Sequence, residues 1–594
     1  MSRLTRGQQI TKRLFFCRSF AGKSYYQPIS IMEKQLIECV PNISEGRNQA
    51  VIDAITAQVE TVEGVKLLDV DPGQATNRTV ITFVGEPQPV IEAAFRLIKK
   101  ASELIDMSKH QGAHPRFGAV DVCPLVPVAN IGMEEVVQYA RKLGERVGRE
   151  LGIPGYFYEN AATSEERRNL ANCRAGEYEG LAKKLVDPHW RPDFGPAEFK
   201  KAKTTGAIAI GARDFLVAYN INLNTTSTRR ANAIAFDIRE RGRVKREGGK
   251  LTGKIIKDKD GNPVMIPGSL KAVKGIGWYI EEYGIAQISL NLTNISITPI
   301  HVAFDEACKK AAARGVRVTG SELVGLVPLQ AMLDAGRYFL RKQQRSVGVS
   351  EKELIKIAVK SLGLDDLKPF NPKEKIIEYL LEEEGSRPLV NMTLADFADE
   401  TASESPAPGG GSISAYVGAL GVALGTMVAN LSAHKRGWDE RWEEFSDWAE
   451  KGMQYQQKLL ALVDEDTAAF NRIMEAFGLP KNSEEEKKAR QQAIQEATRY
   501  ATEVPFRVLE TAYESMEVME AMAANGNPNS VTDAGVGALC ARAAVRGALL
   551  NVKINAAGLD DKDFARDIVA RGEAVAKKAA EREAAIMQVV EEKL

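Results

Sequence analysis

Histidine is scarce in this chain, five residues in 594, and cysteine is nearly as scarce at six. The cysteines (Cys17, Cys39, Cys123, Cys173, Cys308 and Cys540) are scattered, with no CxxC, no HxxxH zinc helix and no dense Cys/His cluster. That spacing argues against a disulfide framework and against a structural metal site, and it reads as a reducing compartment, so a cytoplasmic protein is expected. Net charge is missing too. Lys and Arg number 79, as do Asp and Glu, so nothing in the charge balance points to nucleic acid. The first 31 residues lack any Asp or Glu but carry Arg3, Arg6, Lys12, Arg13, Arg18 and Lys23. They have no apolar core of a secretory signal. Two readings stand, an organelle presequence or a tail added by an upstream start, and the tail is preferred. Between Ser405 and His434 there is no Lys, Arg, Asp or Glu. The run is rich in Gly, Ala and Ser rather than Leu, Ile and Phe, so a core helix is expected there and no membrane span.

What is present reads as an α/β region repeated, followed by helices. Strands are expected at 35–40, 65–69, 79–84 and 119–126, with helices over 48–59 and 90–105. This is a β-α-β-β-α-β order, extended by a helix over 133–151 and a strand at 155–158. A strand over 207–222 opens a second pass. It continues as a helix at 228–240, strands at 276–281 and 286–292, a helix at 302–312, a strand at 317–324 and a helix at 329–341. The order repeats, so two ferredoxin-like α/β subdomains are expected. From 347 to 381 the pattern is helical. Glu382 to Pro388 reads as a linker, and everything after it as a helical bundle, with Ser483-Glu484-Glu485-Glu486 a capping box. The expected domains are 1–31 (basic tail), 32–214 and 215–381 (the two α/β subdomains), 382–390 (linker) and 391–594 (all-α bundle).

Two of the five histidines, His110 and His114, fall in one stretch that ends Gly112-Ala113-His114-Pro115-Arg116-Phe117-Gly118. An imidazole titrates near neutrality, and Pro115 with two glycines makes a stiff, turning loop. His114 is therefore a candidate acid/base, and Arg116 beside it is a further candidate catalytic residue. Asp71 ends the run Leu67-Leu68-Asp69-Val70-Asp71 and is placed to orient it. Val40 to Gly46 follows the first strand in the same manner. Asp193 to Gly206 is read as the loop joining the two α/β halves, a natural crevice.

In the bundle, Leu459, Val463, Phe470 and Ile473 form an apolar helical stripe, and Asp466 falls on it. A carboxyl there has its pKa pushed up and suits proton donation. Asp464 and Glu465 are expected to point away into solvent. Gly409, Gly410 and Gly411 precede Ser412 at a helix start, where exposed N–H groups let a ligand approach. They match neither common nucleotide-binding glycine motif. The polar run Asn525 to Asp533 is turn chemistry or a reader of a heterocycle edge. From Arg239 to Lys274, eleven Lys and Arg face four Asp and Glu. That excess is either a solvated hairpin or a patch that attracts a polyanionic tail.

Cys39 to Gly46, Leu67 to Asp71, Gly112 to Gly118 and Asp193 to Pro196 together resemble glutamate formimidoyltransferases. Ala407 to Ser412 and Leu462-Val463-Asp464-Glu465-Asp466 resemble formimidoyltetrahydrofolate cyclodeaminases. Their order on one chain, from about Met32 onward, is similar to the bifunctional formimidoyltransferase-cyclodeaminase family. Three features depart from that pattern: the basic tail, a longer hairpin around Asp260 and a slightly longer 195–206 loop.

The resemblance implies transfer of a formimidoyl group from N-formimidoyl-L-glutamate to a co-substrate, tetrahydrofolate or its polyglutamates. Ring closure to 5,10-methenyltetrahydrofolate then releases ammonia. It implies His114 as the transferase acid/base and Asp466 as the cyclodeaminase proton donor. It also implies a folate contact along Gly195, Pro196, Ala197, Glu198, Phe199 and Gly206, and a homo-oligomer. A folate-binding scaffold without activity and a transferase using a formyl donor are the competing readings.

Overall fold

The computed structural model describes residues 35–594 apart from 75, 113–115, 250–252 and 382–386. The first α/β unit contains β1 (Leu36–Cys39), β2 (Asn42–Ile43), α1 (Gln49–Glu60), β3 (Val65–Gly73), β4 (Arg78–Gly85), α2 (Pro87–Leu104), β5 (Val120–Ala129), α3 (Met133–Arg146) and β6 (Gly155–Glu159). Three short helices follow, α4 (Leu170–Cys173), α5 (Glu177–Lys184) and α6 (Phe199–Ala202), and then β7 (Ile208–Ala212). Caps and punctuation set the helix starts. The Asn48 side chain accepts from Val51 N to open α1, and Pro87 opens α2. β3 pairs with β4, and β4 with β1 and its continuation β2. Both of these pair with β5, and every one of these pairings is antiparallel. On the far side β5 pairs with β7, and β7 with β6, both parallel, making seven strands.

The second unit runs β8 (Val217–Leu223), α7 (Thr228–Ile238), β9 (Arg243–Val244), β10 (Met265–Ile266), β11 (Val273–Ile280), β12 (Ile285–Leu292), α8 (Ile300–Ala312), β13 (Val318–Val324) and α9 (Leu329–Lys342). Its four-stranded antiparallel sheet has the order β11-β12-β8-β13. The basic segment projects as the small β9–β10 hairpin. Helices α10 (Glu351–Leu362), α11 (Pro372–Lys375) and α12 (Ile377–Leu381) close the unit. One expectation needs correcting here. The run 207–222 is not one strand. Its first part, β7, belongs to the first sheet and its second, β8, to the other. Each sheet has its own core, around Ile37, Phe83 and Leu97 in one and Tyr219, Ile288 and Met332 in the other.

The remainder is helical: α13 (Leu394–Ala402), α14 (Gly410–Ala433), α15 (Trp442–Gly478), α16 (Glu484–Asn525), α17 (Val531–Ala557) and α18 (Lys562–Glu591). The Ser483–Glu486 capping box opens α16. The glycines of α14 let helices meet closely. A Cβ on Gly421 would stand 2.8 Å from Gly537 O of α17. By length and composition, α14 and residues 528–557 could each span a membrane; here both pack within the bundle, α14 with its small side chains buried. The second α/β unit grips this bundle directly. Val347 N donates to Ser446 Oγ at 3.0 Å, and Asn430 Nδ2 donates to Gly348 O at 2.8 Å.

Candidate active sites

Four segments singled out in the sequence approach one end of the seven-stranded sheet. After β1 the chain turns through Ser44, whose hydroxyl donates to Gly118 O at 2.7 Å and whose N–H donates to Ala119 O. Asn77 ties this turn to two others. Its Oδ1 accepts from Gly46 N at 3.0 Å and its Nδ2 donates to Gln111 O at 2.9 Å. Asn77 is buried and has φ of 51°, a left-handed conformation that asparagine tolerates better than most side chains. Gly112 presses so close that a Cβ would lie 2.3 Å from Thr76 O. The loop that carries His114 is therefore anchored at its start, while His114 itself lies outside the described residues.

His110 is committed elsewhere. Its Nε2 contacts Asn77 O at 3.0 Å, and a carbonyl only accepts, so Nε2 bears the proton. Arg116 is also engaged. Its guanidinium bonds Glu179 Oε1 and the carbonyls of Met107 and His110, and it covers the Tyr178 ring at 4.9 Å. These contacts make Arg116 a brace for the loop. Tyr178 in turn meets Phe199, with ring centroids 5.9 Å apart. Asp71 does not end a strand: β3 continues to Gly73 and leaves Asp71 exposed opposite Val80.

The Asp193–Gly206 segment does not join the two halves either. It connects β6 to β7 within one sheet. Gly195 (φ 75°) sits against Ile153 O, and Gly206 (φ 66°) bridges Gly118. Pro196 and Ala197 are half-buried and Glu198 is exposed along the loop. The true connection, 213–216, borders a crevice of about 420 Å³ between the halves, lined in part by Asp214, Phe215, Asn294, Gln330 and Glu378. Close to it, Glu38 on β1 is fully buried, and burial pushes its carboxyl up to about 7 against the opposing pull of Arg213.

The second site lies in the bundle. Asp466 on α15 faces the start of α14, where the Ser412 hydroxyl is 3.2 Å from its Oδ2 and the Ser412 N–H also donates to it. Ser412 Oγ also donates to Val463 O at 2.9 Å. Gly411 meets the same carboxylate edge-on, and Gly409 caps the helix. Gly410 lies against the Asn551 amide of α17. Burial raises the Asp466 pKa, the two Ser412 bonds oppose that rise, and the Glu465 charge adds to it.

Its neighbours overturn the expectation of solvated side chains. Asp464 is buried and accepts from Leu389 N at 2.8 Å and Val390 N at 3.4 Å, pinning the chain that enters the bundle. Glu465 is buried between Tyr500, whose OH donates to it at 2.6 Å, and Arg507. The polar run 525–533 is remote from Asp466. Asn527 N donates to Ser432 Oγ at the far end of α14, about 30 Å away at 1.5 Å per residue. Among the described residues no group of three or more His, Cys, Asp and Glu could hold a metal ion.

Residues 36–213 match the formiminotransferase domain, N-terminal subdomain; residues 218–382 match the formiminotransferase domain; and residues 393–574 match the formiminotransferase-cyclodeaminase family. The formimidoyltransferase-cyclodeaminase of Gallus gallus is 45% identical over 531 residues, 89% of this chain and 94% of that protein. The glutamate formimidoyltransferase of Streptococcus pyogenes is 42% identical over 307 residues, 52% of this chain and 94% of its own length. A methenyltetrahydrofolate cyclohydrolase of Methylorubrum extorquens is 42% identical over 177 residues, 30% of this chain and 85% of its own length. With a relative this similar along nearly its full length, the chain belongs to the formimidoyltransferase-cyclodeaminase family.

Proposed function

We propose that this chain transfers the formimidoyl group of N-formimidoyl-L-glutamate to tetrahydrofolate, and then closes 5-formimidoyltetrahydrofolate to 5,10-methenyltetrahydrofolate with release of ammonia. The observation that carries this reading is the match of one chain to both the formiminotransferase and the cyclodeaminase families, with relatives that bear both activities in their names. In the first reaction the folate N5 attacks the formimidoyl carbon and the bond from that carbon to the glutamate nitrogen breaks. One proton leaves the attacking amine and one reaches the leaving amine. His114 is assigned both transfers in turn. Asp71, exposed at the same sheet end, is assigned its orientation, and Arg116 the bracing of its loop.

In the second reaction the folate N10 attacks the same carbon and gives up its proton, the bond from that carbon to the imino nitrogen breaks, and that nitrogen must be protonated to depart as ammonia, leaving the methenyl cation. Asp466 is the assigned donor, since a carboxyl whose pKa is pushed up by burial keeps its proton closer to neutrality. Gly409 to Ser412 shape the approach and hold that carboxyl. Tetrahydrofolate is assigned to the Gly195–Gly206 loop, where the half-buried Phe199 ring rests on the buried Tyr178 ring.

The domain limits 32–214, 215–381 and 391–594 are supported by the family matches, which break at 213–218 and 382–393. Two ferredoxin-like subdomains are supported by the pairing orders β3-β4-β1-β5 and β11-β12-β8-β13, the same order of elements in each half. A homo-oligomer is supported by exposed Leu420, Met427 and Leu431 on α14 and Val536, Leu539, Leu550 and Ile554 on α17. A polyglutamate tail on the folate is supported by exposed Lys254, Lys257 and Lys259 on the basic hairpin. A reducing, cytoplasmic setting is supported by five free cysteines among the described residues.

The reading is tested by incubating the protein with N-formimidoyl-L-glutamate and tetrahydrofolate while following near-ultraviolet methenyl absorbance and ammonia together. Equal appearance of both is expected, and neither appearing refutes it.

A further inference from the structure

Two consecutive carboxylates on α15 face different helices. Asp466 meets the start of α14, while Glu465 meets α16. Glu465 is buried. Its Oε1 accepts from the Tyr500 hydroxyl at 2.6 Å, and Arg507 Nη2 bonds the same oxygen. Tyr500 and Arg507 lie about two turns apart on one face of α16. Arg507 also bonds the Tyr500 hydroxyl, and the Arg472 guanidinium covers the Tyr500 ring at 4.4 Å from its centroid.

Few charges surround Asp466. Helix α14 carries no Lys, Arg, Asp, Glu or His, and its Tyr416 packs against Phe397 of α13, with ring centroids 5.4 Å apart. On α17 the side chain beside Gly410 is the neutral Asn551, and Lys553 is paired with Glu573 of α18. Asp464 turns to the N–H groups of Leu389 and Val390. Among the described residues, Glu465 is the charged group that acts on Asp466, and it favours the protonated carboxyl. The cation that offsets Glu465 is Arg507, whose side chain is 46% exposed against 9% for Glu465.

Such an ion pair is a weak source of stability. Two charges taken from water repay their desolvation only in part, and apolar side chains of the same volume hold helices together as well or better. Beside a proton donor the pair has another effect. A negative neighbour favours the protonated carboxyl, and a cation bonded to that neighbour removes much of the push. Arg507 comes from α16, so the charge balance next to Asp466 is set by a helix other than its own.

We propose that Glu465 and Arg507 are positioning residues for ring closure: their ion pair sets the charge beside Asp466, and with it the pH range over which Asp466 delivers its proton, while Tyr500 holds the pair together. The proposal rests on the reading of Asp466 as the donor and deepens it. No contact with the substrate is assigned to Glu465, Tyr500 or Arg507, and each acts through Asp466.

The test follows ammonia release from supplied 5-formimidoyltetrahydrofolate by the full-length protein between about pH 6 and 9, where the falling limb of kcat/KM reports loss of the donor's proton. Arg507→Gln leaves the Glu465 charge unbalanced, so the limb should move to higher pH by about 0.5 to 1. Glu465→Gln leaves the guanidinium unbalanced, so the limb should move to lower pH. Arg507→Lys should bring it most of the way back. A merely structural contact would slow closure without displacing the limb in opposite directions. Glu465→Gln and Arg507→Lys carry the comparison if Arg507→Gln fails to fold. A limb that stays in place in the glutamine variants, or moves the same way in both, overturns the proposal while leaving Asp466 as the donor. Ring closure at the normal rate by Asp466→Asn refutes the donor reading itself, and the proposal falls with it.

Discussion

Gly411 and Asp466 are packed so closely that a Cβ on Gly411 would stand 2.1 Å from the Asp466 Oδ1. No side chain fits there without moving the carboxylate or the helix start. Gly411→Ala should therefore cut ring closure by at least tenfold while leaving formimidoyl transfer intact, because a misplaced proton donor loses its geometry. Separate assays of glutamate release and of ammonia release read the two effects. Equal loss of both would mean that the substitution unfolds the bundle rather than displacing its donor.

Asn77 makes the corresponding contribution in the α/β half. Asn77→Ala removes both bonds to the flanking loops and places a Cβ residue at positive φ without a compensating amide. The combined cost is about 2–4 kcal/mol of local stability. Formimidoyl transfer should fall and ring closure should persist. Asn77→Gly, which accepts the backbone but not the bonds, should lie between. Transfer at full rate in both variants would contradict the anchoring role.

The basic hairpin makes its own prediction. Replacing Lys254, Lys257 and Lys259 by Gln should weaken binding of polyglutamylated tetrahydrofolate and spare the monoglutamate, and the difference should shrink at high salt. Equal weakening of the two forms, measured by titration, excludes a tail-binding role.

Glu38 gives a pH dependence with a definite sign. Its carboxyl is raised to about 7 in the folded protein from an ordinary 4.5, so folding takes up a proton between these values. The stabilising contribution is full below pH 4.5 and is lost as pH rises through about 7, on the order of 3 kcal/mol. Glu38→Gln should flatten that part of the stability profile and raise the melting temperature at pH 8. Parallel melting curves for the two proteins from pH 5 to 8 would contradict it.

Much of this architecture is legible in residue patterns, and the gaps have physical reasons. Helix periodicity places Asp466 on the apolar face of α15, and the structure brings Ser412 to it. The same periodicity assigns Glu465 to water, because its partners Tyr500 and Arg507 come from α16 and leave no mark near Glu465 in the sequence. Asp464 is misjudged for the same reason, its partners being two backbone N–H groups of a distant segment. The apolar run 207–222 looks continuous because strand pattern reports burial, not which sheet supplies it. Only the parallel pairing of β7 with β5 reveals the break. Asn77 carries no motif, since a lone Asn-Arg after a strand is ordinary.

The central claim is that the two proton transfers belong to different residues on one chain, His114 and Asp466. Asp466→Asn tests it most directly, with His114→Ala as its mirror. Given N-formimidoyl-L-glutamate and tetrahydrofolate, the Asp466→Asn protein should release glutamate at the normal rate and accumulate 5-formimidoyltetrahydrofolate, with methenyl absorbance and ammonia reduced at least a hundredfold. His114→Ala should release no glutamate yet close supplied 5-formimidoyltetrahydrofolate normally. Undiminished ammonia release from Asp466→Asn, or undiminished glutamate release from His114→Ala, would contradict the account.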